Sequence, residues 1–200
     1  MTRENDLKIE IKNVWDIFIN ANECFHYSNY LHNPETQDEL DYLNSSRDLQ
    51  YIRHIMFRML IIELSKLFSD KKGDRFNIQH LINKLNKNGN FGNMGISDDV
   101  LKRWDAEIDN NRETIETILT LRDKVYAHTD SDKKKYISID LSFNEIEPLL
   151  NIVEEIIRRI YSSVFNTFAD VETVVFDKKR LSIIKILAEE KMKTLNDLWI

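Results

Sequence analysis

The sequence contains few of the residues that cross-link a chain or break its helices. Its 200 residues include one cysteine, two prolines and four glycines. The single cysteine, Cys24, excludes an intramolecular disulfide and a cysteine-rich metal site, and it fits a reducing compartment. We expect Cys24 to be a small core residue. The scarcity of glycine and proline, with apolar residues recurring at three and four positions, favours a nearly all-helical chain.

Long apolar runs and a positive net charge are also absent. No apolar run approaches the roughly 20 residues needed to cross a bilayer, and the first residues lack the apolar region of a signal peptide, so we expect a cytoplasmic protein with no membrane partner. The net charge of −6 argues against a protein that coats nucleic acid by bulk electrostatics. Any RNA contact must therefore be local. Lys133-Lys134-Lys135 is the best local candidate, and a solvated loop is the alternative.

Apolar periodicity and capping residues predict an all-α helical bundle of about five to six helices. The chain length suits one domain, over residues 1–200, in which 170–200 form a C-terminal helical extension of unclear role. A short extended segment is expected at 135–140, and residues 35–44 are expected to be a loop. The first predicted helix covers residues 6–31, and the second is capped by Ser45 or Ser46 and ends near Phe68. The third covers 78–85 and is capped by Asn77, and the fourth runs from Ser97 to about 125. The fifth runs from Ser142 or Asn144 to about 168, and the last covers 177–198.

One short stretch combines residue types that could perform chemistry: Arg122-Asp123-Lys124-Val125-Tyr126-Ala127-His128. It supplies a permanent cation, a carboxylate and an imidazole, a plausible minimum for metal-free cleavage of a phosphodiester. In an unbroken helix Arg122 and His128 would lie about 120° apart around the axis and about 9 Å apart along it. A catalytic role therefore needs a helix that ends or kinks near Tyr126-Ala127, or a second copy of the chain alongside. Alternatively, the charges are ordinary helix-end residues, with His128 as a cation at the helix C-terminus.

Two other arginine–histidine pairs have similar spacings, Arg47 with His54 and Arg75 with His80. The first pair would share a helix face but lie about 10 Å apart along the axis, and we expect His80 at the surface. Neither pair has the helix-end position and the adjacent aspartate of residues 122–128. His26 and His32 do not have a metal-ligand spacing, and no glycine-rich phosphate loop is present, so we expect neither a metal nor another cofactor.

The heptapeptide resembles the Arg-x(4–6)-His signature of the HEPN superfamily, small all-helical domains in which Asn, Asp or His often follows the arginine. The continuation to Thr129-Asp130 is similar to the AbiU-type abortive-infection proteins of bacteria. A second similarity is Glu63-Leu64-Ser65-Lys66-Leu67-Phe68, followed by a polar turn and a short helix. The resemblance covers roughly residues 1–165 in the order of the elements.

The resemblance implies a metal-independent endoribonuclease of a phage-defence (abortive infection) or toxin–antitoxin system. His128 would assist attack of the RNA 2′-hydroxyl on the adjacent phosphate, Arg122 would bind that phosphate, and Asp123 would orient one of them. Flanking RNA would contact the side chains Lys124, Tyr126, Lys133, Lys134 and Lys135. Members of the superfamily commonly pair as homodimers, and an antitoxin protein is a possible partner. Other members are inactive, so the alternative is a non-catalytic helical module that binds a partner protein, nucleotide or RNA.

Overall fold

The fold is all-α, as the sequence predicts, in a computed structural model that describes residues 2–69, 71, 73–126, 141–171 and 182–198. The described residues form eight α-helices and one π-helical turn, and no strand occurs among them. The elements are α1 (Arg3–His32), α2 (Gln37–Ser45), α3 (Arg47–Phe68), α4 (Ile78–Leu85), α5 (Asp98–Asn110), α6 (Arg112–Leu121), the π-turn (Arg122–Tyr126), α7 (Phe143–Val164) and α8 (Ser182–Leu198).

Helix α2 lies in the segment predicted to be a loop. The Thr36 hydroxyl accepts a hydrogen bond from the Glu39 backbone N–H at 3.2 Å, and Glu39 Oε2 accepts from the Thr36 N–H at 2.9 Å. This capping box begins the helix, whose inner face buries Leu43. The polar composition concealed the helix because only one narrow face of it is buried.

Asn111 divides in two the helix predicted between Ser97 and residue 125. It ends α5 and begins α6, with φ −104° and ψ 16°, and its side-chain amide donates to the Glu107 carbonyl at 2.8 Å. Asparagine side chains compete for backbone hydrogen bonds and so favour such breaks. The apolar periodicity continues through Asn111, which is why the sequence predicted one helix.

The start of α7 distinguishes between the two predicted caps. Ser142 and Glu145 form the capping box, which excludes the alternative start at Asn144. Pro148 consequently lies inside the helix, beyond its first turn. The helix ends at Val164, a little before the predicted end near 168.

Some buried positions were predicted correctly and others were not. Leu60, Leu64 and Leu67 of α3 are buried as expected, whereas Ile52 and Met59 are 45% and 40% exposed. Cys24 is half-buried rather than fully in the core. A single apolar stripe therefore does not describe the whole of α3.

Two compact units are distinguished by their internal contacts. Unit 1 comprises Met1–Asn22 and Ile61–Glu172, and unit 2 comprises Glu23–Leu60 and Thr173–Ile200. In unit 2, α8 packs on α2, where Leu31, Leu43 and Ile184 form a buried cluster. The single domain predicted for residues 1–200 stays a prediction.

The unit 1 core includes Leu7, Ile11, Val14, Phe18, Leu64, Leu67, Leu81, Trp104, Ile118, Val153 and Ile157.

None of the helices in the described ranges combines the length and apolarity that crossing a bilayer requires.

Candidate functional site

The heptapeptide begins with a π-turn that follows directly on an α-helix. Helix α6 ends at Leu121, where the Arg122 N–H still donates to the carbonyls of Ile118 and Leu119, and Arg122–Tyr126 form a π-turn. Leu121 and Val125 are buried and fix the turn to the unit 1 core. The change from α- to π-helical geometry lies before Tyr126-Ala127, where a helix end or kink was predicted, and that prediction falls at the limit of the described residues. Single π-turns frequently occur at functional sites.

Arg122 is the most enclosed charged group of this turn. Its side chain is 21% exposed, and its Nε lies 2.9 Å from Asp123 Oδ1. Despite this short distance, Nε and Nη2 are both buried and make no hydrogen bond. The contact is an ion pair in which these two guanidinium donors are unsatisfied.

Asp123 also contacts a cation that the sequence did not indicate. Its Oδ2 accepts a hydrogen bond from Lys71 Nζ at 2.8 Å, across 52 positions of sequence. Lys71 lies in the loop after α3, where its carbonyl accepts from the Asp74 N–H at 2.9 Å. The sequence identified this loop as a turn, but no local signal indicates that Lys71 reaches the heptapeptide.

The other predicted site residues are only partly described. Lys124 is exposed and Tyr126 is half-buried. Their predicted contacts with RNA stay predictions. Ala127, His128, Lys133, Lys134, Lys135 and the predicted extended segment 135–140 lie outside the described residues. The structure thus brings Arg122, Asp123 and Lys71 together, and the convergence of Arg122 with His128 stays a prediction.

The remaining arginine–histidine pairs occupy different surroundings. Arg47 and His54 are both exposed on α3. His80 is half-buried rather than at the open surface, and its Nδ1 lies 3.0 Å from the Asn77 side-chain nitrogen. Asn77 caps α4, as predicted, by accepting from the His80 N–H at 2.8 Å. Within the described ranges, no group of three or more His, Cys, Asp and Glu side chains could hold a metal ion.

The second motif, at the end of α3, contains buried polar side chains. Glu63 is 4% exposed and accepts from Lys66 Nζ at 2.5 Å, while the Ser65 hydroxyl donates to the Ile62 carbonyl at 2.7 Å. Ser69, which follows the helix, is also buried and accepts from the Lys71 N–H at 3.3 Å. Ser69, whose N–H donates to the Ser65 carbonyl, therefore connects the end of this motif to the loop that carries Lys71.

Comparison with known proteins identifies the family. The family model HEPN_AbiU2, described as AbiU2, matches residues 4–190, which extends beyond the predicted similarity to residue 165. No curated protein and no solved structure matches the chain significantly. The family match covers most of the chain and includes residues 122–128. The protein therefore belongs to AbiU2, an abortive-infection-related family of HEPN domains.

Proposed function

We propose that the protein is a metal-independent endoribonuclease of a bacterial abortive-infection or toxin–antitoxin system. In this mechanism His128 assists attack of an RNA 2′-hydroxyl on the adjacent phosphorus. The bond to the 5′-oxygen of the next nucleotide breaks, which leaves a cyclic phosphate and a 5′-hydroxyl. An imidazole suits these proton transfers because its ordinary pKa is about 6.5. Arg122 binds the phosphate and stabilises the charge that develops on it.

The observation that carries the proposal is the state of the Arg122 guanidinium. Two of its nitrogen atoms are buried without a hydrogen bond, in a turn that departs from α-helical geometry. Leaving buried donors unsatisfied costs about 1–3 kcal/mol for each group. A phosphate that approaches the accessible 21% of the side chain offers acceptors for these donors after a small rotation of the guanidinium. Binding of the phosphate would then supply the hydrogen bonds that these donors lack in the free protein, and this gain favours binding.

The proposed enzyme acts as a homodimer, in which two copies of the heptapeptide line one cleft. In one straight helix, Arg122 and His128 of the same chain would lie too far apart to act together. In the dimer, the second copy supplies a His128 near each Arg122. Lys124, Lys133, Lys134 and Lys135 hold flanking phosphates, and Tyr126 stacks on a base. A protein antitoxin would restrain the activity by covering this cleft.

The test compares RNA cleavage by purified variants in the presence of EDTA. We expect Arg122→Ala and His128→Ala each to lower the cleavage rate by about 100-fold or more. Arg122→Lys keeps the charge but loses the planar donor fork, so it should restore only part of the rate. Arg47→Ala and His54→Ala are matched controls from an exposed pair of similar spacing and should cleave like wild type. Undiminished cleavage by His128→Ala would overturn the mechanism.

A second candidate function is a non-catalytic module that binds a partner protein, nucleotide or RNA. The observation that favours it is that Asp123 contacts both Arg122 and Lys71. These contacts neutralise the Asp123 carboxylate and part of the charge of Arg122, which is typical of a structural ion pair. In that case no RNA is cleaved under any condition, and Arg122→Ala weakens partner binding or self-association instead.

A further inference from the structure

A cavity of about 550 Å³ lies in unit 1, formed by the start of α1, the loop before α4, and the end of α4 with its following loop. Its volume is in the range of small-ligand sites. Its lining includes an ion pair, in which Lys84 Nζ donates to both carboxylate oxygens of Glu10, at 2.7 and 2.9 Å. The lining residues are Arg3, Asp6, Ile9, Glu10, Arg75, Phe76, Lys84, Asn90 and Phe91.

Two of the cations in this cavity have no described polar partner. Arg3 and Arg75 are exposed, and neither makes a hydrogen bond or an ion pair with any residue that the structure describes. Lys84 and Glu10 neutralise each other, so Asp6 is the one other lining charge. The cavity therefore has a net positive charge and two planar guanidinium groups, which match the geometry of phosphate oxygens.

The cavity also has aromatic and amide groups. The guanidinium carbon of Arg75 lies 5.4 Å from the centroid of the Phe76 ring, so the cation and the aromatic face form one stacked surface. Phe91 forms a buried wall, Ile9 is 53% exposed, and the exposed Asn90 amide has both donor and acceptor atoms. Stacking faces, phosphate-binding cations and an amide that can pair with a base edge together suit a nucleotide.

The cavity is connected to the heptapeptide through one short loop. Lys71 contacts Asp123 in the π-turn, and Arg75 lines the cavity four positions later. A fully extended chain of this length spans at most about 14 Å between the two Cα atoms. The hydrogen bond from the Asp74 N–H to the Lys71 carbonyl shortens this span further. Lys71, which contacts Asp123, therefore lies close to Arg75, which lines the cavity.

We propose that this cavity binds one nucleotide of single-stranded RNA, with the phosphate at Arg3 and Arg75 and the base against Phe76. Binding of RNA in this cavity does not depend on cleavage at Arg122. The position of this nucleotide beside the cleaved phosphate rests on the proposed function. The cavity supplies affinity for the strand and takes no part in the proton transfers.

The experiment measures binding of a labelled oligouridine in EDTA, using His128→Ala protein so that the RNA stays intact. We expect Arg75→Ala and Arg3→Ala to weaken binding and each to reduce the slope of log K against log salt by about 0.7, the value for one phosphate of a single strand. Phe76→Leu keeps an apolar side chain but removes the ring, so binding should weaken roughly fivefold or more with the slope unchanged. Arg159→Ala is the control, because Arg159 is exposed in unit 1 and does not line the cavity.

Unchanged affinity and unchanged salt slope in both arginine variants would overturn the assignment. A free uridine monophosphate that competes as well as the oligomer would also overturn it in favour of a mononucleotide site. Failure of the proposed function gives a different result, in which wild-type protein cleaves no RNA although the cavity variants still lose affinity. Conversely, cleavage that requires Arg122 and His128, together with unaltered binding in the cavity variants, leaves the proposed function intact and removes the cavity from it.

Discussion

Lys71 Nζ lies 2.8 Å from Asp123 Oδ2 and joins the loop after α3 to the π-turn after α6. The other oxygen of the same carboxylate lies 2.9 Å from Arg122 Nε. Asp123 is therefore shared between two cations, and the three side chains together carry one net positive charge. Lys71 reduces the extent to which Asp123 neutralises Arg122, because a carboxylate that contacts two cations neutralises each of them less.

Removal of Lys71 should change RNA affinity more than stability. In Lys71→Ala, Asp123 loses one of its two described cations and neutralises Arg122 more strongly, so we expect KM for RNA to rise several-fold with a smaller change in kcat. The free energy of unfolding should fall by less than about 1 kcal/mol, because Lys71 is 57% exposed. Steady-state cleavage and urea denaturation measure the two effects. Lys102→Ala, at an exposed position on α5, is the control. An unaltered KM in Lys71→Ala would contradict the shared pairing.

The Lys84–Glu10 pair should contribute to stability because it is largely enclosed. Glu10 and Lys84 side chains are 9% and 29% exposed, so Lys84→Ala leaves a buried carboxylate without its cation. We expect the free energy of unfolding to fall by about 2 kcal/mol, less than for a fully buried pair because Lys84 retains some contact with water. Chemical denaturation at neutral pH measures this change.

The surface offers a matched comparison for that pair. Lys12 and Asp16 lie 2.6 Å apart, with side chains 67% and 60% exposed. Lys12→Ala should therefore cost about 0.5 kcal/mol or less. The double variant Lys84→Met/Glu10→Gln should recover part of the loss, since no buried charge remains. Equal losses in Lys84→Ala and Lys12→Ala would show that burial of the first pair has no energetic consequence.

His32 should make unit 2 sensitive to mild acid. Removal of water from part of the imidazole lowers the pKa of His32, and the nearby charge of Arg53 lowers it further, against the opposing effect of the hydrogen bond to the Ser28 carbonyl. Because the pKa is lower in the folded chain than in the unfolded chain, protonation favours unfolding. This part of the stability is present above pH 6.5 and is lost as the pH falls through the folded-state pKa.

The His32→Gln variant tests this linkage, because it keeps a polar side chain that does not titrate. We expect urea midpoints of wild type to fall as the pH drops below 6.5, and those of the variant to fall less steeply. His54→Gln, at an exposed position, is the control. Identical pH dependences of wild type and His32→Gln would contradict the role of His32.

The sequence predicted some features of the heptapeptide and not others. Its residue types and family resemblance selected Arg122 and His128 from among three similar arginine–histidine pairs, and the family match agrees with the resemblance. The wide turn at Arg122 was not predictable, because the apolar period of Leu121 and Val125 fits an α-helix as well. Lys71 was not predictable either, since a contact across 52 positions leaves no local pattern.

The sequence by itself determined the helical class, the beginnings of several helices and the apolar faces of most. These features depend on interactions within a few residues, such as the cap at Asn77 and the spacing of buried side chains along one helix. The tertiary structure decided which charges meet. It paired Lys71 with Asp123, and it placed Arg3 and Arg75 around one cavity, because the packing of distant segments brings these side chains together.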